Sequence, residues 1–145
     1  MPVDFEAGDT WWERLAASGF DPRRPAVVAS TGVSMYLTKD AITATLRRAA
    51  ALAPGSTFIM SFMLPIELVD PEVRVGVQRA AEGARASGTP FLSFFTPPDM
   101  LALAQDAGFA QVQHVSADML AERYFAGRTD GLRTSNGEEL LVATT

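Results

Sequence analysis

Residues 25–38 read Pro25-Ala-Val-Val-Ala-Ser-Thr-Gly-Val-Ser-Met-Tyr-Leu-Thr38. Ala26–Ala29 is a short, nearly continuous apolar run, the pattern of a strand buried on both faces, as in a parallel sheet. Thr31-Gly-Val-Ser34 follows as a small polar turn. Thr38 is placed to cap a helix over Lys39–Ala53, in which Ile42, Leu46, Ala49 and Ala53 share one stripe. Pro54–Gly55 stops that helix. Strand, turn and helix in this order form the repeating unit of an α/β sheet.

Working outward, Thr57–Met63 reads as a second buried strand, and Pro71–Ala86 as a helix with Val73, Val77, Ala80, Ala81 and Ala84 on one face. Phe91–Phe95 is an aromatic connector. Thr96-Pro-Pro-Asp99 opens a helix that runs to Ala107 and is ended by Gly108. Ala110–Val115 alternates, as a strand with one more polar face does. Ala117–Phe125 reads as a short helix, Gly127–Gly137 as a loop and Glu139–Thr144 as a last strand. Before the opening stretch, Pro2–Phe5 reads as a short strand and Ala7–Asp9 as a turn. Thr10-Trp-Trp-Glu13 matches a capping box for a helix to about Ser18, with Gly19 after it.

The 145 residues suit one domain, and 48% apolar with 20% charged residues predicts a packed core. A net charge of −5 without a Lys/Arg cluster argues against nucleic-acid binding. The chain has no cysteine, which excludes disulfides, thiolate metal sites and a Cys nucleophile. One histidine and scattered carboxylates provide no metal-ligand spacing. The N-terminus has no basic region followed by an apolar run, and no stretch is long enough to span a bilayer, so a cytoplasmic protein is expected. His114, in an alternating strand, reads as a half-buried structural residue, and Trp11–Trp12 as packing.

Several stretches resemble the leucine carboxyl methyltransferase-like family of bacterial, S-adenosylmethionine-dependent class I methyltransferases. They are Val3-Asp-Phe5, Gly19-Phe-Asp-Pro22, residues 25–38, Pro54-Gly-Ser56 and Arg123-Tyr-Phe-Ala-Gly-Arg-Thr-Asp-Gly-Leu-Arg133. The resemblance is to the later part of the family's sequence. It implies a partial Rossmann-like methyltransferase sheet over a single truncated domain, residues 1–145. In the family's strand order 3-2-1-4-5-7-6, Pro2–Phe5 resembles strand three, Ala26–Ala29 strand four, Thr57–Phe62 strand five, Gln111–Val115 strand six and Glu139–Thr144 strand seven. Strands one and two are absent, and so is any G-x-G-x-x-G turn between a strand and a helix.

The resemblance also implies a site. Asp4 and Phe5 correspond to an acidic–apolar pair beside the adenine of S-adenosylmethionine. Thr31 and Gly32 stand where the family carries Glu-Gly beside the methionine part, so a neutral hydroxyl replaces a carboxylate. Tyr36, Tyr124, Arg128 and Arg133 are candidate substrate-pocket residues, Arg being a bidentate partner for a carboxylate. The implied function is part of an O-methyltransferase acting on a small molecule, with a carboxylate acceptor needing no general base because it is already ionised. The alternatives are a non-catalytic remnant or interaction module, and an unrelated α/β binding domain. Without strands one and two, strand four is expected to be an open apolar edge. A homo-oligomer, pairing with a chain that carries the missing half, or folding of the N-terminal strand onto strand four would cover it.

Overall fold

The computed structural model describes residues 4–7 and 10–145 of the chain. Helix α1 covers Thr10–Ala17, strand β1 Val27–Ser30, helix α2 Lys39–Ala50 and strand β2 Thr57–Met63. Helices α3 (Pro71–Ala86) and α4 (Pro97–Ala107) follow, then strand β3 (Gln111–Val115), helix α5 (Ala117–Tyr124) and strand β4 (Glu138–Thr144). The four strands form one sheet in the order β1-β2-β4-β3. β1 and β2 are parallel; β4 lies antiparallel between β2 and β3. This is the order four-five-seven-six expected of the later part of the methyltransferase sheet.

The local signals act where the residue types require. Thr38 Oγ1 accepts from the Ala41 N–H (3.3 Å) at the start of α2, and Thr96 Oγ1 accepts from the Asp99 N–H (3.3 Å) at the start of α4. Gly108 ends α4 at φ +106, a left-handed conformation that a side chain would disfavour. One sheet face is covered by α2 and α4: Ile42, Leu46, Ala49, Met100 and Ala104 pack on Phe58, Met60, Phe62, Leu141 and Ala143. The opposite face, with Ile59, Leu140 and Val142, is half-buried.

Three expectations change. Ala26–Ala29 was expected to be buried on both faces; β1 instead leaves one face exposed, Val27 at 75%, while its place at the sheet's edge is the one expected without strands one and two. Its apolar composition is that of an interior strand, yet among the described residues it has a neighbour on one side only. In the Pro2–Phe5 stretch, Pro2 and Val3 lie outside the described residues, as do Gly8 and Asp9 of the Ala7–Asp9 turn, whereas Phe5 opens a single 3-10 turn, Phe5–Ala7, rather than a strand. That turn docks on α2, because the Thr38 N–H and hydroxyl both donate to the Glu6 carboxylate (2.7 and 2.9 Å). On α3, Val73 and Val77 pack against the core and Ala84 is buried, but Ala80 is exposed. The side chains of Thr10 and Trp11 lie outside the described residues; Trp12 packs edge-on against Phe20, centroids 5.8 Å apart.

Candidate functional site

In a parallel sheet ligands collect at the carboxyl ends of the strands. Here β1 ends at Ser30 and β2 at Met63, and a groove of about 430 Å³ opens beside those ends. Gly32, Met35 and Tyr36 reach it from the turn after β1, Met63 from the end of β2 and Phe91 from the aromatic connector. The far wall is α3, through Val73, Gly76, Val77 and Ala80, which recur at helical spacing on one face. Ser135, Gly137 and Glu138 close the groove at the entry to β4.

Hydrogen bonds hold this arrangement. The Gly32 N–H donates to Ser61 Oγ (2.8 Å), and the buried Ser34 hydroxyl donates to the Ser61 carbonyl (2.7 Å), so the turn after β1 is pinned to β2. Gly32 has φ +69, which favours glycine. The connector is tied down by the Leu92 N–H on the Met35 carbonyl (2.6 Å) and the Ser93 hydroxyl on the Leu37 carbonyl (2.6 Å). Tyr36 and Phe91 meet edge to face, centroids 5.3 Å apart.

The 127–137 loop positions α3. Asn136 Oδ1 accepts from the Asp70 N–H (3.0 Å) and its amide donates to the Leu68 carbonyl (3.3 Å), while Arg133 pairs with Glu72. Gly137 permits the close approach, since a Cβ there would lie 2.7 Å from Val77 Cγ2. Gly137→Ala is expected to displace α3 and to cost about 1–3 kcal/mol by overpacking. A urea midpoint would record the loss, and Val77→Ala in the same chain should recover part of it.

The expected site residues fall into separate places. Gly32 and Tyr36 lie in the groove. Thr31 is exposed at its approach, beside Gly32. Asp4 is exposed, with Oδ1 accepting from the Glu6 N–H (3.0 Å), and Phe5 packs half-buried against the core. Tyr124 is exposed and stacks under Arg123, the guanidinium carbon 5.5 Å from the ring centroid. Arg128 is paired with Asp130, and Arg133 with Glu72 and, at 3.9 Å, Asp70; neither arginine lines the groove. Met35, Met63, Phe91, Ser135 and Glu138 line the groove but were not singled out from the sequence, because they come from four distant segments.

The Arg128–Asp130 pair has a measurable signature. The guanidinium beside Asp130, helped by the Leu132 N–H, holds its carboxyl below the ordinary value of 3.8. A carboxyl depressed by folding supports the loop above that ordinary value and loses its contribution as pH falls through the lowered one. Carbon-detected NMR titration should therefore show Asp130 titrating low, and Arg128→Ala should return it toward 3.8.

Of the positions expected to meet S-adenosylmethionine, two follow the end of β1. Thr31 and Gly32 stand at the carboxyl end of β1, but the Gly32 N–H is already bonded to Ser61. Among the described residues no glycine-rich turn joins a strand to a helix. No helix among them is long and apolar enough to cross a membrane.

The sequence profile of the leucine carboxyl methyltransferase family matches residues 1–50, ending with α2. No curated protein sequence matches the chain. Among solved structures, a DUF574-family protein from Streptomyces avermitilis superposes with a TM-score of 0.68 at 17% identity, over 100% of this chain and 54% of that one. A candidate methyltransferase from Thermobifida fusca gives 0.67 at 19% identity, over 100% and 53%. Human N-acetylserotonin methyltransferase in complex with SAM gives 0.52 at 15%, over 100% and 33%. At these identities the likeness is one of fold, and the chain spans about half the length of the first two structures. The chain carries part of a methyltransferase fold, and its first 50 residues carry the likeness to the leucine carboxyl methyltransferase family.

Proposed function

We propose that this chain supplies the acceptor-binding side, and one edge of the cofactor site, of an S-adenosylmethionine-dependent methyltransferase that acts on an oxygen of a small molecule. The observation that carries the reading is the groove at the carboxyl ends of β1 and β2, floored by buried Met35 and Met63. In a sheet of this order that is the expected place for a ligand. S-adenosylmethionine, when bound, supplies an activated methyl group. Thr31 and Gly32 are the residues placed to meet its methionine part, and Asp4 and Phe5 those proposed for its adenine. The groove contributes orientation, and methyl transfer depends chiefly on alignment.

A second reading is favoured by specific observations. The Gly32 N–H is engaged, and the outer edge of β1 is unpaired among the described residues. Both suit an interaction module that covers that edge with a second copy or with a chain bearing the central strands. Calorimetric titration with S-adenosylmethionine, repeated across protein concentration and accompanied by sedimentation, separates the two. Saturable binding supports the enzyme reading; silence in every oligomeric form supports the module.

A further inference from the structure

We propose that the groove takes a neutral, planar aromatic molecule bearing a hydroxyl and disfavours carboxylates. The identification of that molecule as a methyl acceptor rests on the methyltransferase reading; its binding does not. The shape comes from the lining. Tyr36 and Phe91 present aromatic surface on one side, over the buried thioethers of Met35 and Met63, which are polarizable and adapt to ring edges. Gly76 and Ala80 remove bulk from the groove face of α3, and a Cβ at Gly76 would meet nothing within 4 Å. The result is an open groove of about 430 Å³ lined by aromatic and small residues, a size that accepts a fused aromatic ring system.

The electrostatics select within that shape. Among the described residues Glu138 is the one acidic side chain that lines the groove, and no Lys or Arg lines it. The arginines that a carboxylate would seek are turned elsewhere: Arg133 to Glu72, Arg128 to Asp130, and Arg74 to the Val69 and Glu67 carbonyls. A carboxylate entering the groove would sit beside a like charge, with no cation among the described lining residues to receive it. A hydroxyl instead donates to Glu138 or exchanges a hydrogen bond with Ser135. The Arg-paired carboxylate acceptor suggested by Arg128 and Arg133 is therefore replaced by a neutral one.

Ligand-detected NMR on the full chain, with 2-naphthol and 2-naphthoate as probes near neutral pH, tests this. The naphthol should bind, and the naphthoate at least about tenfold more weakly. Glu138→Gln should narrow that gap. Gly76→Phe should abolish naphthol binding with an unchanged circular dichroism spectrum, and Ala80→Trp provides an independent block if the first variant fails to fold. Equal or tighter naphthoate binding, or naphthol binding that survives both blocks, overturns the proposal. So does a chain that ignores naphthol yet sediments as a dimer dissociated by Gly76→Phe, because the groove is then a face between copies. Naphthol binding without S-adenosylmethionine binding removes the methyltransferase reading alone; the converse removes this inference alone.

Discussion

Phe58→Ala should cost about 3–5 kcal/mol, the range for emptying an aromatic site in a core. Phe58 is 1% exposed at the middle of the sheet, paired with Val28 on one side and Ala143 on the other. Its ring stacks on Phe109, centroids 5.9 Å apart and planes 20° from parallel. That contact joins β2 to the chain between α4 and β3, so truncation leaves a void that neither neighbour can fill without moving a strand. Domains of this size have about 5–15 kcal/mol of stability in total, so the variant should show a large fall in urea midpoint and a sizeable unfolded fraction at 37 °C. A loss below about 1 kcal/mol would mean that the aromatic layer is not a close-packed core.

Glu139→Ala is the second large effect, about 3 kcal/mol. Glu139 is 6% exposed, which for a carboxylate demands partners. Its Oε1 accepts from the Ala117 N–H at the first turn of α5 (3.1 Å), and its Oε2 lies 2.6 Å from His114 Nε2. Alanine would orphan a buried backbone N–H and the imidazole together. Glu139→Gln retains an acceptor oxygen and should cost less. Equal losses in the two variants would show that the carboxylate is not acting as the acceptor of these bonds.

Those two sites also show what could be read from the residues beforehand. Phe58 was legible: Thr57–Met63 is apolar on both faces, and only the centre of a sheet supplies two apolar neighbours. The Glu139–His114 pair was not. It depends on register, which puts His114 opposite Leu141, two residues along the same face from Glu139, and no local pattern states a register across 25 residues. The burial of β1 was misread for a related reason. Composition reports what a strand could bury, whereas Val27 shows what it does bury among the described residues. The candidate site was half legible. Gly32 and Tyr36 follow a strand and could be placed at its carboxyl end. Arg128 and Arg133 looked like ligand partners because their acids, Asp130 apart, lie some 60 residues away on α3's first turn. Phe91 joins Tyr36 only through a connector that has no repeating structure to read.

The position of β4 governs the order in which the molecule can be assembled. Synthesis delivers β2 and β3 long before residues 138–144, yet β4 is the strand that joins them, with Thr57 paired to Thr144 and Val115 to Leu140. Until it emerges, among the described residues β2 has only β1 beside it and β3 has no strand partner. Pairings this far apart in the chain close slowly, because a long loop must be ordered before the contacts reward it. The nascent chain thus carries the apolar strand Thr57–Met63 with one flank open while the 74 residues from 64 to 137 are made. A holding chaperone or a slow ribosome should change the yield of this protein more than its final stability.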